Sequence, residues 1–111
     1  MLKSSQRLST AGFEAVIEKG RAVHSPLFLL RVLRNGSGTH ISAIAPKKVA
    51  KTAVSRNKIR RRIYSALKSL YPSLAGGTQA IVSAKTASTK ESIAALTDEL
   101  KGLFVKAGVL K

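Results

Sequence analysis

The chain has 111 residues, 20 Lys and Arg against 5 Asp and Glu, a formal net charge of +15 and no cysteine. This length suits a single domain, 1–111, and the 44% hydrophobic content predicts a packed core rather than a disordered basic tail. The lack of cysteine excludes disulfides, thiolate zinc sites and thiol catalysis. Because neither a secretory signal nor a membrane-spanning apolar stretch is visible, we expect a cytoplasmic protein that does not enter the membrane.

A first helix is predicted near the N-terminus. Ser9 or Thr10 can cap its start, and Gly20 is expected to end it. Three apolar residues share one face of this helix, at i, i+3 and i+4: Phe13, Val16 and Ile17. A short extended piece is expected to follow at 21–24.

Two further strands are predicted before the middle of the chain. The apolar run at 27–33 is too short for a helix and is followed by the turn cluster Asn-Gly-Ser-Gly at 35–38. Residues 40–45 then alternate in the pattern of a strand. Two such runs joined by a glycine-rich loop predict an antiparallel hairpin.

A long basic helix is predicted after the strand end at Pro46, beginning near Ser55 and stopping at Tyr71-Pro72. Apolar residues at helical spacing form its buried face: Ile59, Ile63, Ala66, Leu67 and Leu70. At about 100° per residue, the following polar residues cluster roughly 90–130° from that face: Asn57, Arg60, Arg61, Tyr64 and Lys68. Guanidinium groups bind phosphate, and an Asn amide can pair with a base edge or a 2′-hydroxyl. A local hydrogen bond near the helix start is the alternative role of Asn57.

The C-terminal part predicts one more strand and a final helix. The strand covers 79–83, and Ser88 with Glu91 forms a capping box before the helix, which closes near Gly108. The apolar face of this helix contains Ile93, Leu96, Leu100, Leu103 and Phe104. The element order is α-β-β-β-α-β-α, and the expected fold is an α+β two-layer sandwich of a four-stranded, mostly antiparallel sheet and three helices.

The charges are distributed unevenly along the chain. No carboxylate occurs between Lys19 and Lys90, whereas the intervening residues include many lysines and arginines. Such uncompensated self-repulsion indicates that a polyanion supplies the opposite charge. A membrane surface is disfavoured because the basic segment has no Trp or Phe. The charge of the protein alone does not indicate whether this polyanion is DNA or RNA.

Residues 46–63, PKKVAKTAVSRNKIRRRI, resemble the signature of the protein subunit of bacterial ribonuclease P. That signature runs from a Lys-Lys pair at a strand end to an Arg-Asn-Arg motif that opens a basic helix. The similarity extends to residues 13–20, to 28–30 and to the final helix, so it covers nearly the whole chain. The resemblance also implies a left-handed β-α-β crossover around the basic helix.

The resemblance implies that the protein binds the catalytic ribonuclease P RNA and the 5′ leader of precursor tRNA, as a monomer in a 1:1 complex. Catalysis would belong to the RNA and its Mg²⁺ ions, with no catalytic residue and no metal site on the protein. The implied contacts with the catalytic RNA are Lys47, Lys48, Lys51, Arg56, Asn57, Lys58, Arg60, Arg61, Tyr64 and Lys68. The implied leader contacts, in a cleft between the first helix and the sheet, are Phe13, Ile17 and Arg31.

The sequence departs from the family pattern at several of these positions. Lys58 replaces an arginine, which keeps the charge but loses the planar guanidinium. Tyr64 stands where a basic residue is common and could stack on a base. Ile17 and Arg31 stand where aromatic residues are frequent, so base stacking in the cleft should be weaker.

No set of residues in the sequence predicts catalysis by the chain alone. Asp98 and Glu99 are expected to be solvated or paired with Lys101 or Lys106. A structural RNA-binding protein of the ribosomal type is the main alternative function. A DNA-binding module is disfavoured because the basic helix buries one face on its own sheet.

Overall fold

The computed structural model describes residues 7–34, 38–86 and 91–110. These residues form α1 (Thr10–Lys19), β1 (Arg21–His24), β2 (Phe28–Arg34), β3 (His40–Ile44), α2 (Ala53–Leu70), β4 (Thr78–Ala84) and α3 (Ile93–Lys106). A single 3₁₀ turn at Tyr71–Ser73 follows α2. This order confirms the predicted α-β-β-β-α-β-α sequence of elements and the α+β class. No helix in the described ranges combines the length and apolar character needed to cross a membrane.

The four strands form one sheet in the order β1-β2-β4-β3. β1 and β4 both pair antiparallel with β2, whereas β3 pairs parallel with β4, so the sheet is mostly antiparallel as predicted. The predicted hairpin between 27–33 and 40–45 is wrong, because β4 lies between those two strands. The turn cluster at 35–38 falls outside the described residues except for its last glycine.

β4 lies in the interior of the sheet, and its burial agrees with that position. Six of its seven residues are buried, so it is covered on both faces of the sheet. Near-continuous burial is typical of an interior strand, whereas β3 alternates between buried and half-buried residues. The parallel pairing of β3 with β4 requires a crossover, which α2 provides. The left-handed sense of this crossover stays a prediction from the resemblance.

The helices lie on both faces of the sheet. Phe28, Leu30 and Val32 of β2 alternate along the strand and join the main core formed with α2 and α3. Val16 of α1 and Ile81 of β4 are completely buried but lie outside that core, because α1 contacts β2 and β4 on the opposite face. The structure therefore has three layers rather than the predicted two. Of the apolar residues that periodicity places on one face of α1, Val16 is buried and Ile17 is 46% exposed, and periodicity does not indicate which side of the sheet receives the helix.

Each helix begins with a hydroxyl side chain that accepts a backbone hydrogen bond. Ser9, one of the two predicted caps, caps α1, and Thr52 caps α2, which begins at Ala53, two residues before the expected start near Ser55. The predicted capping box at Ser88 is wrong, because α3 begins at Ile93 and is capped by Ser92. Ser88 itself lies outside the described residues. The apolar stripe of α3 starts only after Ser92, so this second serine is the one adjacent to the helix.

Gly20 ends α1 because of a close approach rather than a left-handed backbone. Its φ is −73°, and its N–H donates to the Val16 carbonyl at 2.8 Å. A Cβ atom at this position would lie 2.4 Å from that carbonyl oxygen and 3.2 Å from the carbonyl oxygen of Val32. The glycine therefore permits α1 to end directly against β2.

Glu99 ties α3 to the turn between β1 and β2. Its carboxylate accepts hydrogen bonds from the Ser25 hydroxyl at 2.5 Å and from the Leu27 N–H at 2.8 Å. The Lys85 ammonium group donates to the Ser25 carbonyl of the same turn at 3.0 Å. The expectation that Glu99 is solvated or paired with a lysine of its own helix is therefore wrong.

Candidate nucleic-acid interface

A groove of about 640 Å³ opens between α1, the outer edge of β3 and the first turns of α2. Apolar side chains enter it from the N-terminal side, including Leu8 and Phe13. Polar side chains of α2 enter it from the opposite wall: Arg56, Asn57 and Arg60. The residues that line the groove include three arginines and no carboxylate. The groove can therefore receive an anion and, beside it, a flat apolar group.

The outer edge of β3 forms the back of this groove. β3 is paired only with β4, so its other edge has open backbone groups. The Tyr64 hydroxyl accepts a hydrogen bond from the Ala43 N–H at 3.0 Å, and the Arg60 Nε donates to the Ala43 carbonyl at 3.3 Å. Side chains of α2 thus occupy the place that a fifth strand would take.

Arg56 is bound to the loop that precedes α2. Its Nη1 donates to the carbonyl oxygens of Ala50 and Lys51, both at 3.1 Å. This loop also contains Lys47 and Lys48, which are exposed together with Lys51. The guanidinium of Arg56 therefore connects the lysines of the loop to the wall of the groove.

Asn57 is half-buried in the groove, and its side-chain amide has no hydrogen bond to the residues that the structure describes. Thr52 takes the capping position at the start of α2 instead. The alternative of a local hydrogen bond for Asn57 is therefore not observed, and its amide is available to a ligand in the groove.

The predicted polar face of α2 divides into two surfaces. Arg60 and Asn57 face the groove, whereas three cationic residues lie on an exposed ridge along the outside of the helix: Lys58, Arg61 and Lys68. The ridge residues follow the helical repeat, so they form one row. Arg62 belongs to neither surface, because its guanidinium donates to the Glu91 carbonyl and connects α2 to the segment before α3.

Tyr64 is buried, with 1% of its surface exposed. The expectation that its ring contacts RNA is therefore wrong. A tyrosine ring can join a core when its hydroxyl finds a partner, and the Ala43 N–H provides that partner. The sequence places Tyr64 at the boundary between the apolar and polar faces of α2, where helical spacing alone does not decide its direction.

The three residues predicted to bind the leader do not all line the groove. Phe13 is half-buried in it, opposite the arginines of α2. Ile17, one helical turn further along α1, is 46% exposed and lies outside the lining. Arg31 is half-buried on β2, in register with Ile81 of β4 and, through it, with Ser42 of β3. Arg31 is thus separated from the groove by the width of one strand.

Sequence reasoning missed two residues that contribute to the groove. Arg7 and Leu8 precede α1 and line its N-terminal side, where the Leu8 N–H donates to the Ser42 hydroxyl at 3.1 Å. The only signal in the sequence for Arg7 is that it is a cation close to Ser9, the cap of α1. The described residues contain no cluster of three or more His, Cys, Asp or Glu side chains suited to a metal ion.

Together, the mixed sheet and the arginine-lined groove define a small basic α+β protein with a cationic groove at one edge of its sheet. Solved structures with this fold include the RNase P protein of Staphylococcus aureus, with a TM-score of 0.77, 23% identity, and coverage of 98% of this chain and 100% of that one. The RNase P protein of Thermotoga maritima matches with a TM-score of 0.78 and 16% identity, covering 90% of this chain and 96% of that one.

Sequence comparison defines the family. The Ribonuclease P family model matches residues 2–108. The ribonuclease P protein component of Pseudanabaena sp. (strain PCC 6903) is 33% identical over 99% of this chain and 97% of its own length. That of Symbiobacterium thermophilum is 31% identical over 99% and 97%. The chain therefore belongs to the ribonuclease P family of protein components.

Proposed function

We propose that this protein binds ribonuclease P RNA and the 5′ leader of precursor tRNA, and so assists the RNA-catalysed removal of the leader. The observation that carries this proposal is the groove, in which Arg56, Arg60 and the Asn57 amide lie opposite Phe13 and no carboxylate is among the lining residues. Family membership supplies the identity of the RNA partner.

The groove suits a single RNA strand. Guanidinium groups hold phosphates through paired hydrogen bonds, and an aromatic ring stacks on a base without reading its sequence. Arg60 and Phe13 offer these two contacts from opposite walls. A leader strand passing through the groove would continue over the α1 face of the sheet, where Ile17 and Arg31 are the next side chains available.

The exposed cations outside the groove suit the catalytic RNA. Lys47, Lys48 and Lys51 lie on the loop before α2, and Arg56 connects that loop to the groove. The ridge of α2 adds Lys58, Arg61 and Lys68. Exposed lysines and arginines bind the phosphates of a folded RNA and release its counterions. In this proposal the protein forms a 1:1 complex in the cytoplasm, and Asn57 and Arg60 lie where the two RNA contacts meet.

Catalysis is assigned to the RNA. The groove presents guanidinium groups and no carboxylate, and Mg²⁺ prefers oxygen ligands, so the protein residues here do not fit a metal site. We therefore propose that the Mg²⁺ ions of the reaction are bound by the RNA. The role left to the protein is to hold the leader and the catalytic RNA in one orientation.

A cleavage assay tests this function. End-labelled precursor tRNA is incubated with a bacterial ribonuclease P RNA at limiting Mg²⁺, with and without the full-length protein. Cleavage at the mature 5′ end should require the RNA and be strongly enhanced by the protein. Binding without enhancement, repeated with the RNA from the same organism, would favour a structural RNA-binding protein instead. Cleavage by the protein alone would contradict the assignment of catalysis to the RNA.

A further inference from the structure

Two side chains of α2 bond the same residue of β3, and they lie one helical turn apart. The Tyr64 hydroxyl binds the Ala43 N–H, and the Arg60 Nε binds the Ala43 carbonyl. Residues spaced i and i+4 project on the same side of a helix. The open edge of the sheet is therefore closed at Ala43 by a phenol and a guanidinium acting as a pair.

We infer that Tyr64 is a positioning residue for Arg60, and that Arg60 so held binds a phosphate of the RNA strand in the groove. Arg60 lines the groove and is half-buried, and its side chain makes no hydrogen bond to the described residues other than that of Nε. Its terminal N–H groups are thus what it presents to a ligand. The inference rests on the proposed function, because it names the residues that fix one phosphate contact of that groove.

The hydroxyl of Tyr64 matters because its hydrogen bond is buried. Replacement by Phe would leave the Ala43 N–H without a partner in the interior, which is unfavourable. If the edge of β3 moved away from α2, water could enter and accept a hydrogen bond from the Ala43 N–H. The same movement would draw the Ala43 carbonyl away from the Arg60 Nε and release the guanidinium.

A released guanidinium binds phosphate less well for a conformational reason. An arginine side chain has several rotatable bonds, and ordering them upon binding costs free energy. The hydrogen bond at Nε orders the side chain before the ligand arrives. Because Tyr64 is buried, it does not contact the RNA itself. It contributes to RNA binding by holding Arg60 in position.

The experiment compares Tyr64→Phe with a matched phenol elsewhere in the chain. The Tyr71 hydroxyl is likewise bonded to the backbone, although as a donor to the Thr39 carbonyl at 2.5 Å, and Tyr71 does not line the groove. Full-length variants are titrated with a fluorescein-labelled single-stranded RNA of about ten nucleotides over a series of salt concentrations. We expect Tyr64→Phe to raise Kd about three- to tenfold and Tyr71→Phe to leave Kd unchanged.

A double-mutant cycle with Arg60 separates positioning from a general effect on folding. Arg60→Ala should weaken binding and reduce the magnitude of the log-log salt slope by about 0.7, the value for one phosphate contact of a single strand. Adding Tyr64→Phe to Arg60→Ala should cause no further loss. Faster hydrogen exchange of the Ala43 amide in Tyr64→Phe, at unchanged global stability, is the expected structural signature.

Additive losses in the cycle, or wild-type affinity of Tyr64→Phe, would overturn the inference. If Arg60→Ala binds as the wild type does, the groove itself is misassigned and the proposed function fails with it. Should Tyr64→Phe not fold, Arg60→Lys replaces it, since lysine keeps the charge but has no Nε donor. A three- to tenfold weaker binding of Arg60→Lys, about the loss expected above, would support the inference, and wild-type affinity would overturn it.

Discussion

Replacement of Phe13 by Ala should discriminate between RNA substrates with and without a leader. Phe13 lies in the groove, half-buried, and does not belong to the main core. Stacking of one base on an aromatic ring contributes about 1–3 kcal/mol. Because one ring can stack on one base here, Phe13→Ala should weaken binding of precursor tRNA by roughly 5- to 150-fold.

The assay measures Kd of the assembled protein–RNA complex for precursor tRNA and for mature tRNA. Phe13→Ala should leave mature tRNA binding unchanged, since mature tRNA has no leader in the groove. Val105→Ala is the control, because Val105 is an apolar side chain on α3 that is 47% exposed, outside the groove lining and not among the proposed RNA contacts, so its loss should leave both affinities unchanged. An equal loss of affinity for both RNAs would refute the leader assignment of the groove.

The remaining predictions concern the two cationic surfaces and the fold. Arg61→Ala should weaken binding of the catalytic RNA while sparing a short single strand, because Arg61 lies on the ridge; equal effects on both would contradict the division of α2 into two surfaces. Glu99→Gln should lower the free energy of unfolding by about 1–3 kcal/mol, because the acceptor of two hydrogen bonds changes from a charged carboxylate to a neutral amide. An unchanged urea midpoint would refute this. Gly102→Ala should raise stability by about 0.5–1 kcal/mol because a Cβ there meets nothing within 4 Å. Gly20→Ala should lower stability by more than that, because its Cβ would overlap the Val16 carbonyl.

The helices could be predicted from the sequence more completely than the sheet. Each helix has a stripe of apolar residues at helical spacing and a hydroxyl cap, and both are local properties of a few turns. Strand order depends on which strands pair, and alternation does not specify a partner. The glycine-rich connection after β2 therefore predicted a hairpin, whereas the sheet inserts β4 between β2 and β3.

The candidate site could be predicted by residue type but not by position in space. Helical spacing places Asn57 and Arg60 on the polar face of the basic helix, whereas the RNA-binding role of Arg56 and the position of Phe13 in a cleft are implied only by the family resemblance. The structure brings all four to one groove, because α1 and α2 approach the edge of β3 from opposite sides. That approach depends on the face of the sheet chosen by α1, which the periodicity of α1 does not encode.

The behaviour of Tyr64 shows why a polar stripe on a helix is an incomplete guide to a binding surface. An edge strand has backbone groups that need partners, and a helix packed along that edge can provide them from its own side chains. The residues that do so must lie at the border between the apolar and polar faces, since they reach the strand beside the core. In α2 this border contains a phenol that closes the edge from inside and a guanidinium that closes it from the groove. The same two side chains therefore close the edge of β3 and build the cationic wall of the groove. A change to Tyr64 or to Arg60 should affect both the packing of that edge and the binding of RNA.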